Sequence, residues 1–385
     1  MNKKKIKIQD TTLRDGEQTP GIAFNLKDKL KVFKILENIG VDSIEVGFPA
    51  ASIEEENIIK SLCDKLRVEN TSICVFSRAL EKDILTAYEV TKKVKNSKIQ
   101  IVVPVSDLQI EHSINKNKEQ IIVQLKESIN LAKKYFNNIQ FTAQDSTRAN
   151  LSYLKKVLEI AVRHGASTLC LPDTTGYSTP SEYSLLIKEV KKKFKNNKEL
   201  IISAHCHNDL GLASANTLAA VKEGVDQIEC TLTGLGERAG NAPLEEIIAI
   251  LNLKHKHKLS EKINLKYFNQ AKEIIEDISQ IKIHNNKPIF GSNVFTHASG
   301  MHQKAVLKNR ESFEVLEAEK FGIKGGIVRF GKLSGKSALL KILNENNFSF
   351  KKMNIDKIIP LLKKEAETKK VLTFSDIKKI ISKVK

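Results

Sequence analysis

One segment near the N-terminus decides the fold of this chain: Ile6-Lys-Ile-Gln-Asp-Thr-Thr-Leu-Arg-Asp-Gly-Glu-Gln-Thr-Pro-Gly21. Its first residues alternate between apolar and polar, as in a strand, and a polar loop follows. A helical pattern begins near Asn25. Taken alone, the loop fits a solvated turn with a local pair between Arg14 and Asp15 as well as it fits a functional site. A strand that leads through a polar loop into a helix is nonetheless the repeating unit of α/β proteins, and such loops often carry function.

The strand–helix unit recurs through most of the chain. A helical stretch from Leu26 to Ile39, for example, ends at Gly40, a residue type that commonly terminates helices. Strand-like runs are predicted over residues 6–8, 43–46, 72–76, 99–105, 139–142, 168–171, 201–204 and 227–231. Eight such units in about 250 residues predict a (β/α)8 TIM barrel, an α/β fold. The alternative is an open, doubly wound sheet, but no G-x-G-x-x-G pattern follows the first strand.

The pattern changes beyond residue 253. We predict the TIM barrel over residues 1–253, a helical linker over 254–290, and a small, mainly helical C-terminal domain over 291–385. The last of these contains the unusual segment Phe295-Thr-His-Ala-Ser-Gly-Met-His-Gln303. Helices are predicted over residues 268–281, 337–344, 355–367 and 375–383.

Composition excludes several classes of protein. With 41% hydrophobic and 28% charged residues, the 385-residue chain resembles folded globular proteins. It has no apolar run long enough to span a bilayer and no signal segment, so we expect a cytoplasmic protein without a membrane partner. The net charge of +18 comes from dispersed lysines without an aromatic-rich basic patch, so we expect no nucleic-acid partner. The five scattered cysteines argue against a disulfide framework and fit a reducing compartment.

A pair of histidines carries the strongest chemical signal. In a TIM barrel, chemistry lies where the strands end. His205 and His207 follow strand seven, and residues two apart on an extended segment point the same way, so both imidazoles can meet one ion. Two histidines and a carboxylate suit a divalent metal. We expect Asp15 to supply the carboxylate, because strand one lies near strand seven in a closed barrel. Asp209 is the alternative, or it orients one of the histidines.

Five motifs, in order, resemble the isopropylmalate/homocitrate synthase family, and the resemblance runs from the N-terminus to about Leu340. The motifs are Asp10-Thr-Thr-Leu-Arg-Asp-Gly-Glu-Gln18, Pro172-Asp-Thr-Thr-Gly-Tyr177, His205-Cys-His-Asn-Asp-Leu-Gly-Leu212, Gly234-Leu-Gly-Glu-Arg-Ala-Gly-Asn-Ala242 and His297-Ala-Ser-Gly-Met-His-Gln303. Members of this family use a TIM barrel to join the methyl group of acetyl-CoA to the carbonyl carbon of a 2-oxo acid, and then hydrolyse the thioester. The resemblance therefore implies an acyltransferase with acetyl-CoA as co-substrate.

The resemblance also implies roles for single residues. Arg14 and Thr174 match the anchors of the 2-oxo acid, and Arg14 would also stabilise the alkoxide that develops on the attacked carbonyl. A divalent ion (Mn, Mg or Zn) would be held by residues that match the family's ligands, Asp15, His205, His207 and Asn241.

The family delivers a histidine that matches His302 from the partner subunit, which implies a homodimer with an exchanged C-terminal segment. His302 is the candidate base for the acetyl-CoA methyl group. Gln18 and Arg78 are predicted as further substrate contacts. The loop glycines that would let acetyl-CoA approach the backbone are Gly234, Gly236 and Gly240.

One catalytic position departs from the family. Gln144 stands where the family commonly has a glutamate, and an amide cannot take up a proton. The adjacent Asp145 is a candidate replacement. A catalytically silent paralogue is the alternative that Gln144 suggests, and a related metal-dependent lyase is another.

Smaller differences predict the 2-oxo acid. Gln140 stands where lysine-pathway homocitrate synthases have an arginine, which argues against that subgroup. Val103-Pro-Val-Ser-Asp107 resembles nitrogen-fixation homocitrate synthases, whereas Val306-Leu-Lys-Asn-Arg-Glu311 and the motif that begins at Pro172 resemble isopropylmalate synthases. The favoured acceptor is 2-oxoisovalerate, giving 2-isopropylmalate in leucine biosynthesis. Homocitrate synthase (2-oxoglutarate) and citramalate synthase (pyruvate) are the alternatives. We see no regulatory domain after the helical one and expect no leucine feedback through such a domain.

Overall fold

The computed structural model describes residues 5–66, 70–350 and 353–384. The chain forms two compact units, the first ending at Lys282 and the second beginning at Ile283. This division lies at neither predicted boundary, 253 or 290. The reason is that helix α10 (Phe268–Ser279), predicted as part of a linker, packs against α1 (Leu26–Ile39) of the first unit.

The first unit is a closed barrel of eight parallel strands. Strand β1 pairs with β2 on one side and with β8 on the other, which closes the sheet. The strands are β1 (Lys7–Asp10), β2 (Ser43–Glu45), β3 (Ser72–Arg78), β4 (Ser97–Pro104), β5 (Asn138–Gln144), β6 (Thr168–Asp173), β7 (Ile201–Cys206) and β8 (Gln227–Cys230). The predicted TIM barrel is confirmed, and the ends of the predicted strands differ from these by no more than two residues.

Local signals set the ends of the surrounding helices. The side chains of Asn25 and Asp28 cap the first turn of α1 reciprocally. Gly40 ends α1 with φ of 88°, and a Cβ at this position would lie 2.3 Å from the carbonyl oxygen of Lys262, so only glycine fits. The other helices up to α10 are α2 (Ile53–Lys65), α3 (Glu81–Thr91), α4 (Asp107–His112), α5 (Lys118–Ala132), α6 (Leu151–His164), α7 (Pro180–Lys193), α8 (Ala213–Lys222) and α9 (Leu244–Lys254).

Polar side chains fill part of the barrel interior. TIM-barrel interiors are dominated by branched apolar side chains. Here Lys98 on β4 donates hydrogen bonds to glutamines on β1, β5 and β8, which only an inward-pointing side chain can reach. The buried polar residues joined in this interior network are Gln9, Lys98, Gln100, Gln140, Ser203, Gln227 and Glu229.

The second unit is mainly helical, as predicted. Its helices are α11 (Gly300–Lys308), α12 (Lys336–Glu345), α13 (Ile355–Lys369) and α14 (Phe374–Ser382). Two short strands, β9 (Thr296–His297) and β10 (Ile327–Val328), pair in parallel. Phe330, Leu339, Leu343 and Leu362 are central to its hydrophobic core. Across the described parts of both units, no helix combines the length and apolar character needed to cross a membrane.

Candidate active site and metal-binding cluster

Most of the predicted site residues surround one cavity at the carboxyl ends of the barrel strands. The cavity has a volume of about 260 Å³. These residues come from the ends of β1, β5, β6 and β7, which are far apart in sequence. Closure of the barrel therefore brings them together, as expected for this fold. The predicted residues that line the cavity are Arg14, Asp15, Gln18, Gln144, Thr174, His205 and His207.

Asp15, His205 and His207 form a tight cluster in this cavity. Oδ2 of Asp15 lies 3.5 Å from Nε2 of His205 and 3.9 Å from Nε2 of His207. The two Nε2 atoms are 3.3 Å apart. All three side chains are buried, and one donor atom from each lies within 4.8 Å of the others. Donor atoms that converge in this way can hold one divalent ion.

Asn241 adjoins the cluster through a hydrogen bond. Its Nδ2 donates to Oδ1 of Asp15 over 2.9 Å and to the carbonyl oxygen of Leu235 over 3.1 Å. Its Oδ1 is buried and has no hydrogen-bond partner within the described residues. An unpartnered buried oxygen of this kind destabilises the folded state by about 1–3 kcal/mol, and a cation bound beside it would remove this penalty. Two imidazole nitrogens, a carboxylate and this amide oxygen therefore fit a divalent ion.

The glycine-rich loop after β8 packs directly against the cluster. A Cβ at Gly236 would lie 2.1 Å from Nδ2 of Asn241 and 3.0 Å from Oδ1 of Asp15. A Cβ at Gly240 would lie 2.0 Å from the carbonyl oxygen of Gly234. These glycines therefore have a packing role in the folded protein. Their contact with acetyl-CoA stays a prediction.

The surrounding charges keep Asp15 ionised, and burial keeps His207 neutral. Burial raises the pKa of Asp15, but Arg14, the two histidines and the hydrogen bond from Asn241 outweigh it, so the pKa lies below its usual value. Burial lowers the pKa of His207 to about 4. An ionised carboxylate and a neutral imidazole are the protonation states that bind a metal ion.

Two carboxylates hold Arg14 at the cavity. Its Nε donates to Oε2 of Glu45 over 2.7 Å, and its Nη1 donates to Oδ2 of Asp15 over 2.9 Å. The guanidinium carbon lies 5.1 Å from the centre of the Phe76 ring. These contacts leave Nη2 without a hydrogen bond to the described residues, so Arg14 retains a donor for a bound anion.

Thr174 also retains a donor. Its Oγ1 accepts a hydrogen bond from the backbone N–H of Asp145 over 2.9 Å, which leaves the hydroxyl proton free to be donated. The Asp145 carboxylate itself is buried and accepts from Nε of Arg148 over 2.9 and 3.0 Å, away from the cavity lining. Asp145 therefore does not supply the carboxylate that is missing at Gln144.

Comparison with known proteins identifies the family. Residues 5–275 match the HMGL-like family, and residues 289–370 match the family of homocitrate synthase post-HMGL domain-like proteins. The 2-isopropylmalate synthase of Pyrococcus furiosus is 38% identical over 98% of this chain and 76% of its own length. The same enzyme of Streptococcus gallolyticus is 38% identical over 98% of this chain and 73% of its own length. The chain belongs to the isopropylmalate/homocitrate synthase family.

Membership of this family makes the protein an acyltransferase, so the predicted family and enzyme class are confirmed. A solved structure shares the fold: the HMG-CoA lyase of Bacillus subtilis superposes with a TM-score of 0.63 over 73% of this chain and 95% of the lyase. Its sequence is 19% identical, so this likeness concerns the fold alone.

Arg78 is among the predicted residues that do not line the first cavity, and His302 belongs to the second unit. Arg78 is 55% exposed and pairs with Asp83 through bonds of 2.7 and 3.1 Å, and it lines an adjoining cavity of about 460 Å³. His302 lies on α11 of the second unit, where its ring stacks on Phe313 at a centroid distance of 3.8 Å. The roles of both residues stay predictions.

Asp209 forms an ion pair with Arg238. Both of its carboxylate oxygens accept hydrogen bonds from Arg238, over 2.7 and 3.0 Å, and Arg238 also donates to the carbonyl oxygen of Thr174 over 2.7 Å. The alternative in which Asp209 acts on the histidines stays a prediction. The pair joins the loops after β6, β7 and β8 of the synthase barrel.

Sequence reasoning missed one residue of the synthase site that the structure places against the cluster. Oε2 of Glu229 lies 3.3 Å from Nδ1 of His205, and the residue lines the cavity. The available signal was a carboxylate between Ile228 and Cys230, inside a strand whose other side chains are apolar or neutral. A buried charge of this kind needs a partner and so points to function.

Proposed function

We propose that this protein joins acetyl-CoA to 2-oxoisovalerate and hydrolyses the resulting thioester, giving 2-isopropylmalate and free CoA. The acetyl methyl group loses a proton, its carbon bonds to the keto carbon, and the keto oxygen gains a proton. Water then cleaves the thioester. The observation that carries this proposal is the match to 2-isopropylmalate synthases over 98% of the chain.

The cluster is the proposed site of a divalent ion, with Asp15, His205, His207 and Asn241 as ligands. When bound, such an ion supplies Lewis acidity and orients the carboxylate and carbonyl of the 2-oxo acid. Mn, Mg and Zn each accept oxygen or imidazole donors. The buried, neutral imidazole of His207 and the ionised Asp15 support this assignment.

Arg14 and Thr174 are the proposed anchors of the 2-oxo acid. Arg14 donates through its free Nη2 to the keto oxygen as that atom takes up charge, while the bond to Glu45 keeps the guanidinium in place. Thr174 donates its hydroxyl proton to the substrate carboxylate. Gln18, whose Oε1 lies 3.4 Å from Nη1 of Arg14, is a further contact. We assign Gln144 a hydrogen-bonding role, because its amide cannot transfer a proton.

His302 from a second copy of the chain is the proposed base for the acetyl-CoA methyl group. Three exposed apolar residues lie on or next to its helix. Met301, beside it in sequence, is 79% exposed, and Phe313, which stacks on its ring, is 46% exposed. Leu333, whose carbonyl oxygen accepts from the N–H of Gly300, is 66% exposed. Exposed apolar clusters of this kind mark contacts between proteins. A homodimer with an exchanged C-terminal segment would cover them. The five cysteines are unpaired and buried, which supports a cytoplasmic location.

Thiol release tests the reaction. Acetyl-CoA is offered with 2-oxoisovalerate, 2-oxoglutarate or pyruvate, with Mn²⁺, Mg²⁺, Zn²⁺ or a chelator, and free CoA is measured with a thiol reagent. We expect release with 2-oxoisovalerate and a metal ion. Release only with 2-oxoglutarate would indicate a homocitrate synthase, and release only with pyruvate a citramalate synthase. No release with any acceptor would contradict the proposal and favour the silent paralogue.

Mixed dimers test the exchange. Arg14→Ala and His302→Ala chains should each be inactive alone. If each site takes His302 from its partner, a mixed dimer has one intact site, so random mixing restores about a quarter of wild-type activity. Mixtures that stay inactive, although the two chains associate, would contradict the exchange.

A further inference from the structure

Lys98 is a buried cation inside the barrel whose partners are neutral amides. It lies near the start of β4 and is 7% exposed. Its Nζ donates to Oε1 of Gln9, to Oε1 of Gln140 over 3.2 Å and to Oε1 of Gln227 over 3.4 Å. Burying a charge destabilises the folded state by several kcal/mol unless other groups compensate for it, so a lysine at this position indicates a specific role.

Gln140 connects this lysine to a carboxylate. The amide accepts from Lys98 through Oε1 and donates through Nε2 to Oε1 of Glu229 over 2.8 Å. Ser203 donates to the same oxygen over 2.9 Å. Gln227 donates to it as well, over 3.4 Å, so three neutral donors hold one carboxylate oxygen of Glu229 from within the barrel.

The other oxygen of Glu229 faces the cluster. Oε2 lies 3.3 Å from Nδ1 of His205, and Glu229 is 1% exposed. A carboxylate at Nδ1 keeps the proton on that nitrogen. The contact sets the orientation of the imidazole ring, whose Nε2 lies toward His207 and Asp15.

We propose that Lys98 is a positioning residue for the metal-binding cluster: through Gln140 it holds the Glu229 carboxylate against His205. The contacts run from β4 through β5 and β8 to β7. The intervening amide matters, because a direct lysine–glutamate pair would draw the carboxylate toward Lys98 and away from Nδ1. With Gln140 between them, the cation compensates for the buried charge and leaves Oε2 free for His205. This inference rests on the proposed metal site, but not on which 2-oxo acid is the substrate.

Metal affinity tests the inference without any turnover. Mn²⁺ is titrated into the metal-free, full-length protein and the dissociation constant is measured by calorimetry or from the signal of free Mn²⁺. Loss of a group that orients a metal-binding histidine typically weakens metal binding by about 10–100-fold. We therefore expect Glu229→Gln to bind Mn²⁺ at least about tenfold more weakly, and Lys98→Met about tenfold more weakly.

Tyr183→Phe is the matched control. This variant loses a fully buried hydroxyl that donates to the carbonyl oxygen of Leu171, outside the interior network. It should melt at a lower temperature and still bind Mn²⁺ like the wild type. If its affinity falls as far as that of Lys98→Met, a general loss of stability explains both effects and the inference is overturned.

A double variant tests whether Lys98 affects metal binding through Glu229 or independently of it. If Lys98 acts through Glu229, Lys98→Met should change the affinity by less than about twofold in the Glu229→Gln background. A tenfold change in both backgrounds would overturn the inference. Gln140→Met, which keeps the lysine charge but removes the linking amide, tests the same link if Lys98→Met fails to fold, and an unchanged affinity would refute it. A wild-type protein that binds no Mn²⁺ would instead refute the proposed metal site itself.

Discussion

Replacing Lys29 should destabilise the barrel strongly, because this lysine on α1 binds both the loop after β1, which carries Asp15, and helix α2. Lys29 is fully buried on α1. Its Nζ donates to Oε2 of Glu17 and to Oε1 of Glu55, each over 2.7 Å. It also donates to the carbonyl oxygens of Leu13 and Val46, each over 3.2 Å. Four acceptors, from the loops after β1 and β2 and from α2, therefore converge on one ammonium group.

The size of the effect follows from the burial of the partners. Lys29→Met keeps the side-chain length but leaves the carboxylates of Glu17 and Glu55 facing each other, with side chains only 21% and 16% exposed. Removing one partner of a buried pair costs about 3–5 kcal/mol. Partial contact with water places the expected loss near the lower end, at about 3 kcal/mol. For a unit of about 280 residues, that lowers the melting temperature by about 5 °C.

Scanning calorimetry of the metal-free protein measures this loss. Lys31→Met is the control on the same helix: its ion pair with Asp277 is 3.5 Å long, and the two side chains are 41% and 69% exposed. Exposed pairs contribute about 0–1 kcal/mol, so this variant should melt close to the wild type. A Lys29→Met protein that melts within about 2 °C of the Lys31→Met control would refute the reasoning.

Three further outcomes follow from the same geometry. His207→Ala should lose both bound Mn²⁺, measured by metal analysis after gel filtration, and thiol release; survival of both would show that the cluster is not the metal site. Gly236→Ala places a methyl group 2.1 Å from Nδ2 of Asn241, so we expect a loss of about 1–3 kcal/mol in thermal unfolding and weaker Mn²⁺ binding, and wild-type values for both would contradict this packing. Burial raises the pKa of Asp10 to about 7, although its hydrogen bonds with Thr12 favour the charged form. Between about pH 4 and 7 the folded state therefore keeps a proton on Asp10 that the unfolded chain has already released. Stability should therefore fall as pH rises from about 4 to 7, and Asp10→Asn should flatten this part of a plot of melting temperature against pH; an unchanged slope would assign the dependence to other groups.

Much of the architecture follows from short-range patterns. The alternation of apolar residues in each strand, the Asn25 cap and Gly40 are local signals, and the strands and α1 appear where these signals place them. The convergence of Asp15 with His205 and His207 also follows once the barrel is recognised, because parallel strands present their carboxyl ends on one face. The two-residue spacing of the histidines needed no tertiary information.

Other contacts depend on which strands and loops the closed barrel places opposite one another. Glu17 carries no assignable role in the sequence, yet it binds Lys29 of the following helix. Asp145 follows the strand that ends at Gln144, but its backbone has φ of 64° and its carboxylate turns to Arg148. Such side-chain directions depend on local backbone conformation and on neighbours that sequence spacing does not encode.

The sequence by itself determined the barrel, its family and the three residues of the cluster, because periodicity, capping and motif order are properties of neighbouring residues. Only the tertiary structure decided which buried side chains contact the cluster from inside the barrel. Lys98 and Gln227 are separated by 129 positions and meet inside the barrel. Glu229 meets His205 from the adjacent strand. The physical reason is that an inward-pointing polar side chain in a closed barrel contacts side chains from other strands across the interior. Which side chains meet there depends on the register of all eight strands.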